Sequence, residues 1–87
     1  MDYSVRLNRA AQRELDRLNS RIRRQVLERI LKLGDDPRPQ DVKLLRGRNH
    51  SYRVASGEYR ILYEIDDASK VVLIFRVGNR REVYRNL

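Results

Sequence analysis

Arg53, Arg60 and Arg76 recur along the C-terminal half of the chain, Arg80 and Arg81 follow closely, and Tyr84 ends the series. Guanidinium groups gathered on one surface grip phosphate in a bidentate way and stabilise the charge that builds on a phosphoryl group in its transition state. A tyrosine among them can pass a proton or stack on a nucleic-acid base. The chemistry in prospect is therefore phosphate chemistry. Arg46 and Arg48 flank Gly47 in a basic loop suited to backbone phosphates. The competing reading is a solvated sheet face, on which arginine stems cover apolar neighbours such as Leu62 and Ile74. For Tyr84 it is a ring packed under the sheet edge.

These residues need strands to line them up. In Tyr59–Ile65 the odd positions are apolar or aromatic, and the same holds for Val71–Val77. Side chains alternate across a strand, so the odd sets face one side and Arg60 and Arg76 the other. The strands are expected at Tyr52–Ala55, Glu58–Asp66 and Lys70–Val77. With Ser56-Gly57 as a two-residue hairpin loop, Arg53 falls directly opposite Arg60. Like charges paired across strands destabilise a hairpin, and an anionic ligand would give a reason for the pair. Tyr52, Tyr59 and Tyr63 read as core or half-buried.

The N-terminal half supplies the cover for the apolar face. Tyr3, Val5 and Leu7 alternate with polar residues as a first strand over Asp2–Leu7. Asn8 offers an N-cap, followed by Ala11, Leu15 and Leu18 at helical spacing. Ser20 is placed to cap a second helix that carries Ile22, Val26, Ile30 and Leu33, with Leu27 and Leu31 widening the stripe. That helix is expected to stop at Gly34. Asp35–Pro39 is a loop set by two prolines. Val42, Leu44 and Leu45 are expected to tuck against the core, and the tail after Gly78 has room for a short final strand. The order is β-α-α-β-β-β: an α+β fold with a two-helix hairpin on one face of a small antiparallel sheet.

Length and composition narrow the partners. The 87 residues fit one domain spanning 1–87. With no cysteine and one histidine, His50, neither a thiolate metal site nor a histidine-based nucleophile is expected. Asp66-Asp67 reads as a turn rather than a metal site. No apolar run is long enough for a membrane span, and the N-terminus has no signal-like apolar stretch, so a cytoplasmic protein is expected. Three of the 20 basic residues are lysines, which leaves 17 arginines, and the net charge is +8. Such a surface is suited to polyanions, nucleic acid above all.

One stretch, KLLRGRNHSYRVASGEYRILYEIDDASKVVLIFRVGNRREVY, resembles the toxins of the RelE family. The marks are Leu-Arg-Gly, Tyr-Arg-Val, Gly-x-Tyr-Arg-Ile-x-Tyr-Glu-Ile and the closing Val-Gly-x-Arg-Arg-x-Val-Tyr, and the likeness extends over essentially the whole chain. It implies the fold shared by RelE and ParE toxins and a small acidic RelB-like antitoxin as partner. It also implies cleavage of messenger RNA in the ribosomal decoding site. There the substrate's own 2′-hydroxyl attacks the adjacent phosphate, without metal or cofactor. By position, the resemblance gives Arg60 the charged transition state, Arg80 or Arg81 the leaving oxygen, and Tyr84 the 2′-hydroxyl or a stacked base. Arg53 holds the phosphate, and Arg46, Arg48, Arg76 and Arg81 contact RNA. Ala55 stands where well-studied relatives carry a second basic residue. The alternative within the same fold is a ParE-type toxin, which poisons DNA gyrase without a catalytic set.

Overall fold

The computed structural model describes residues 2–47 and 50–85. The chain forms β1 (Ser4–Leu7), α1 (Arg9–Asp16), α2 (Ser20–Asp35), β2 (Lys43–Leu44), β3 (Ser51–Ser56), β4 (Tyr59–Asp66) and β5 (Val71–Asn79). The strands make one five-stranded sheet in the order β1-β5-β4-β3-β2. β1 runs parallel to β5, with Val5 beside Val72 and Leu7 beside Ile74, so the sheet is mixed. The two helices between β1 and the later strands are the crossover that a parallel neighbour requires.

The helix ends follow from capping chemistry. The Asn8 side chain accepts a hydrogen bond from the Ala11 amide at 2.9 Å, which fixes the start of α1. Asn19 plays this part for α2, accepting from the Ile22 amide at 3.0 Å. Ser20, expected as the cap, is the first helical residue instead. Gly34 does not end α2 either, because the helix runs on through Asp35. Gly34 is buried, and its carbonyl accepts from the Tyr3 amide at 3.0 Å, which ties the end of α2 to the start of β1.

Ala11, Leu15, Val26, Ile30 and Leu33 from the helices meet Val54, Ile61, Tyr63, Ile65, Val72, Ile74 and Val77 from the sheet. The Tyr63 ring is fully buried, and its hydroxyl donates to the Pro37 carbonyl at 2.8 Å. This meets the cost of burying a phenol, and burial pushes its pKa well above the ordinary value. Leu27 and Leu31 do not widen the covered stripe, being 38% and 44% exposed on the outer side of α2. No described helix is long and apolar enough to cross a membrane.

Two register features depart from simple alternation. The β3–β4 loop is Gly57-Glu58, with Ser56 opposite Tyr59, so Arg53 pairs with Leu62 and Arg60 with Ala55. Gly57 takes a φ of +58° at the first loop position, which a side chain would disfavour. In β5, Leu62 faces Arg76 while Tyr63 faces Ile74, so Phe75 is an extra residue, a β-bulge. The odd positions therefore do not share one face along β5. Val72 and Ile74 face the helices before the bulge, and Val77 does so after it.

Candidate functional site

The face of the sheet away from the helices is not bare along its whole width. Leu62 is fully buried there beneath Leu45 and Val83, with Phe75 and Tyr84 packed around them. This second, smaller core exists because the chain turns back after β5. Residues 80–85 form successive turns in which the Glu82 and Val83 amides both bond the Asn79 carbonyl at 2.9 Å. Gly78 lets this segment come close. A Cβ at position 78 would lie 3.3 Å from both Cβ and Cγ2 of Val83. The tail thus forms no sixth strand. It folds over the outer face and carries Tyr84 with it.

Tyr84 meets Arg53 there. Arg53 donates from Nη1 to the Tyr84 hydroxyl at 3.1 Å, and its guanidinium carbon lies 5.7 Å from the ring centroid. Both side chains are half-buried. Position 53 lies on the outer face through its pairing with Leu62, and Lys43 of β2 sits directly opposite it on the other side. Arg60 lies on the same face between Ala55 of β3 and Gly78 of β5. Ala55 leaves room beside its guanidinium, while Val83 fills the space over Gly78. Its Nη1 donates to the Gly57 and Tyr59 carbonyls, each at 3.0 Å.

Lys43, Arg53, Ala55 and Arg60 surround an open hollow of about 320 Å³, with Asp41 at its rim. Asp41 does not balance the cations of the hollow. Its carboxylate is held at 2.6 Å by Arg29, which also keeps its pKa below the ordinary range. Among the described residues, none of Lys43, Arg53 and Arg60 has a carboxylate partner. The like-charge pair across strands is therefore real, but it joins Lys43 and Arg53 rather than Arg53 and Arg60. Such a pair costs stability and prepares the surface for an anion.

The other expected residues lie around or away from this hollow. Arg80 is exposed at the β3–β4 turn, its Nε 2.8 Å from Glu58 Oε2 and its amide bonded to the Glu58 carbonyl. Arg60 and Arg80 thus anchor on the same two-residue turn. Arg81 and Arg46 are exposed. Arg48 lies outside the described residues. Arg76 does not join the cluster. Although paired with Leu62, it stands where β5 outruns β1, and its Nε contacts Glu14 Oε2 of α1 at 3.1 Å while Glu14 Oε1 accepts the Val77 amide at 2.9 Å. Glu14 in this way caps the part of β5 that outruns β1. His50 sits in a turn with φ +63°, and Asp66 ends β4 and accepts the Ser69 amide at 3.1 Å while Asp67 enters the turn that follows. Among the described residues no group of His, Asp or Glu gathers as a metal site. Lys43 was missed from the sequence because a two-residue strand has too little alternation to be seen.

Known proteins bear on this arrangement. Residues 5–84 match the family model described as ParE toxin of type II toxin–antitoxin system, parDE. Toxin RelG of Mycobacterium tuberculosis is 36% identical over 98% of this chain and 99% of its own. The mRNA interferase toxin RelE of Escherichia coli is 32% identical over 97% of this chain and 92% of its own. Among solved structures, the M. tuberculosis toxin–antitoxin complex RelBE2 superposes with a TM-score of 0.79 at 36% identity. It covers 92% of this chain and 100% of that one. The archaeal RelE–RelB complex from Pyrococcus horikoshii gives 0.81 at 28% identity, over 95% of this chain and 100% of that one. A two-helix layer on a mixed sheet, with an open cationic hollow on the far face, is thus found in a chain that belongs to the RelE/ParE family of type II toxins and is a RelE-type toxin.

Proposed function

We propose that this toxin cuts messenger RNA on the ribosome, using the hollow around Arg53 and Arg60. The 2′-hydroxyl of the substrate attacks the adjacent phosphorus. The 2′-oxygen–phosphorus bond forms as the 2′-hydroxyl gives up its proton to solvent, the bond to the 5′-oxygen of the next nucleotide breaks as that oxygen takes up a proton from solvent, and a 2′,3′-cyclic phosphate remains. Arg53 holds the phosphate and orients Tyr84 through their hydrogen bond. Tyr84 acts on the 2′-hydroxyl or stacks on its base. Arg60 stabilises the charge that grows on the phosphoryl oxygens. Arg80 leaves Glu58 to serve the leaving oxygen. Their exposed ion pair is worth only about 0–1 kcal/mol and yields readily to a phosphate. Arg46 and Arg81, both exposed, contact the RNA backbone. The observation that carries this reading is a set of cations around one open hollow whose lining carboxylate, Asp41, is already paired with Arg29.

The solved relatives named above are complexes with RelB antitoxins. This chain is read as having such a partner, whose acidic segment covers the hollow and competes with RNA for the same charges. The test is primer extension on messenger RNA in a translating extract. Cuts within codons are expected, and Arg60→Ala should reduce cutting about 10²–10³-fold, the cost of one transition-state donor. Tyr84→Ala should abolish it with the fold intact. The family model carries the ParE description, which favours the gyrase reading as the second one. Intact message with stalled replication would establish that reading and refute the nuclease.

A further inference from the structure

The hollow contains a charged group that this chemistry leaves unused. Lys43 stands opposite Arg53 across β2 and β3, on the outer face, and lines the same space as Arg53 and Arg60. It is exposed, and it lies in a strand of two residues that are both exposed, so packing has little need of it. The nearest candidate for a partner, Asp41, is committed to Arg29 at 2.6 Å. The Lys43 ammonium has no ion pair or hydrogen bond among the described residues. Its placement against Arg53 puts Cβ atoms of like-charged residues roughly 5 Å apart, an arrangement that costs a folded hairpin free energy. Ala55, two residues from Arg53 and opposite Arg60, adds little bulk, so a backbone can lie down between Arg60 and the Lys43–Arg53 pair.

We propose that Lys43 is a substrate-binding residue whose ammonium contacts a phosphate of the RNA strand beside the one that Arg53 holds. The inference rests on the nuclease reading and deepens it. A compact ammonium suits this place. It is a point charge on a flexible stem, able to follow a backbone phosphate without the planar register a guanidinium demands. Arg53 is held by Tyr84 and Arg60 by the hairpin carbonyls. Lys43 alone among these three cations has no hydrogen bond to constrain it.

The experiment compares wild type, Lys43→Ala and Lys43→Arg on ribosomes carrying a defined message. In parallel, each is titrated against a short single-stranded RNA whose 2′-hydroxyl at the scissile position is replaced by hydrogen. Lys43→Ala should lower kcat/KM about tenfold, the effect of one lost charge-assisted contact. The slope of log affinity against log salt for the oligonucleotide should become shallower by about 0.7, one phosphate's share for a single strand. Lys43→Arg should restore both to near wild type. The melting temperature of Lys43→Ala should stay level or rise slightly, because a like-charge pair is relieved. Cutting and salt slope within error of wild type in Lys43→Ala would overturn the assignment while leaving the nuclease standing. Loss on ribosomes with an unchanged oligonucleotide slope would also overturn it, since the ammonium would then be meeting ribosomal RNA. A wild-type protein that leaves the message intact would overturn the nuclease reading and this assignment together.

Discussion

Replacing Val83 with alanine should weaken the toxin without unfolding it. Val83 is 3% exposed and packs on Leu62 and Leu45, in the small core that holds the C-terminal turn against the sheet. It is adjacent in sequence to Tyr84, which reaches Arg53. The change removes two carbons from a buried position, and at about 0.8 kcal/mol per buried methylene this comes to about 1.6 kcal/mol. If the whole cost falls on docking of the turn, the docked fraction drops by at most about 15-fold. The turn also keeps its backbone bonds to Asn79 and Glu58, so the loss should lie between about 3-fold and that ceiling.

Val72→Ala is the matched control. Val72 is fully buried in the main core, beside Val5 and opposite Ile65, at a distance from the hollow. The same two carbons are lost, so the melting temperature should fall by about 6–13 °C. Well below that temperature, cleavage per folded molecule should stay within about twofold of wild type. Val83→Ala should show the reverse: a smaller melting shift and a larger loss of rate. The assay is initial cleavage rate on programmed ribosomes at low temperature, normalised to folded protein by circular dichroism. If Val83→Ala cuts as well as wild type, the docked turn does not present Tyr84 to the substrate. If both variants lose rate in proportion to their melting temperature, stability alone explains the effect.

Further outcomes follow from single contacts. The hydrogen bond from Arg53 to Tyr84 predicts that Arg53→Ala and Tyr84→Phe are non-additive in cleavage rate by about 0.5–1.5 kcal/mol in a double-mutant cycle. Additivity within about 0.3 kcal/mol would show that the two act independently. Glu58→Gln should free Arg80 and raise kcat/KM about threefold with little change in melting, because the ion pair it removes is exposed. A fall in rate would mean that Glu58 positions Arg80 rather than withholding it. Tyr63→Phe leaves the Pro37 carbonyl without its donor and should cost about 1–2 kcal/mol in urea unfolding, with cleavage unaffected at low temperature. Asp67 accepts from Arg38 and from Tyr3, and these bonds hold its carboxyl down at about 2. Its folded pKa lies below the unfolded one, so its contribution is complete above about pH 4 and lost as pH falls toward 2. Melting temperature against pH should fall over that window in wild type and fall less in Asp67→Asn. Parallel curves would remove Asp67 from the account.

How much of this was legible in the chain depends on the range of the signal. The two helices and the strands β1, β3, β4 and β5 rest on apolar spacing, which each segment carries within itself, and they came through with end effects at Ser20 and Gly34, while Leu27 and Leu31 stayed outside the covered stripe and the two-residue β2 was not seen. The pairing of β1 with β5 was not legible, because parallel neighbours leave no turn between them to mark the partnership. Arg76 was expected in the cluster, and its ion pair with Glu14 on α1 could not be read from the strand alone. Phe75 fits the alternation as well as any other apolar residue, and nothing local distinguishes a bulge from a regular strand. The slip from a Ser56-Gly57 loop to a Gly57-Glu58 loop moved Arg60 away from Arg53, since one step in the loop shifts the cross-strand partner by two. The second core was hidden for a different reason. Leu62 reads as a stray apolar residue among arginines until Val83 and Leu45 are brought over it by the tail and by β2.

The distribution of carboxylates marks the hollow more sharply than the excess of arginine does. Arg29, Arg38, Arg76 and Arg80 each have an acidic partner within 3.1 Å, on Asp41, Asp67, Glu14 and Glu58 respectively. These pairs brace the loop after α2, the turn after β4, the bulged edge of β5 and the hairpin loop. Asp41, which lines the hollow and could have neutralised it, is turned to Arg29 instead. Folding alone would favour the opposite choice, because a carboxylate between Lys43 and Arg53 would relieve their repulsion. The side chains are arranged as if the missing negative charge arrives with a ligand. Placing one there permanently, as Ala55→Glu does on β3 two residues from Arg53 and opposite Arg60, should stabilise the fold while abolishing RNA cleavage. An Ala55→Glu protein that melts higher and no longer cuts would establish that trade, and one that still cuts at the wild-type rate would show that the hollow is not where the RNA lies.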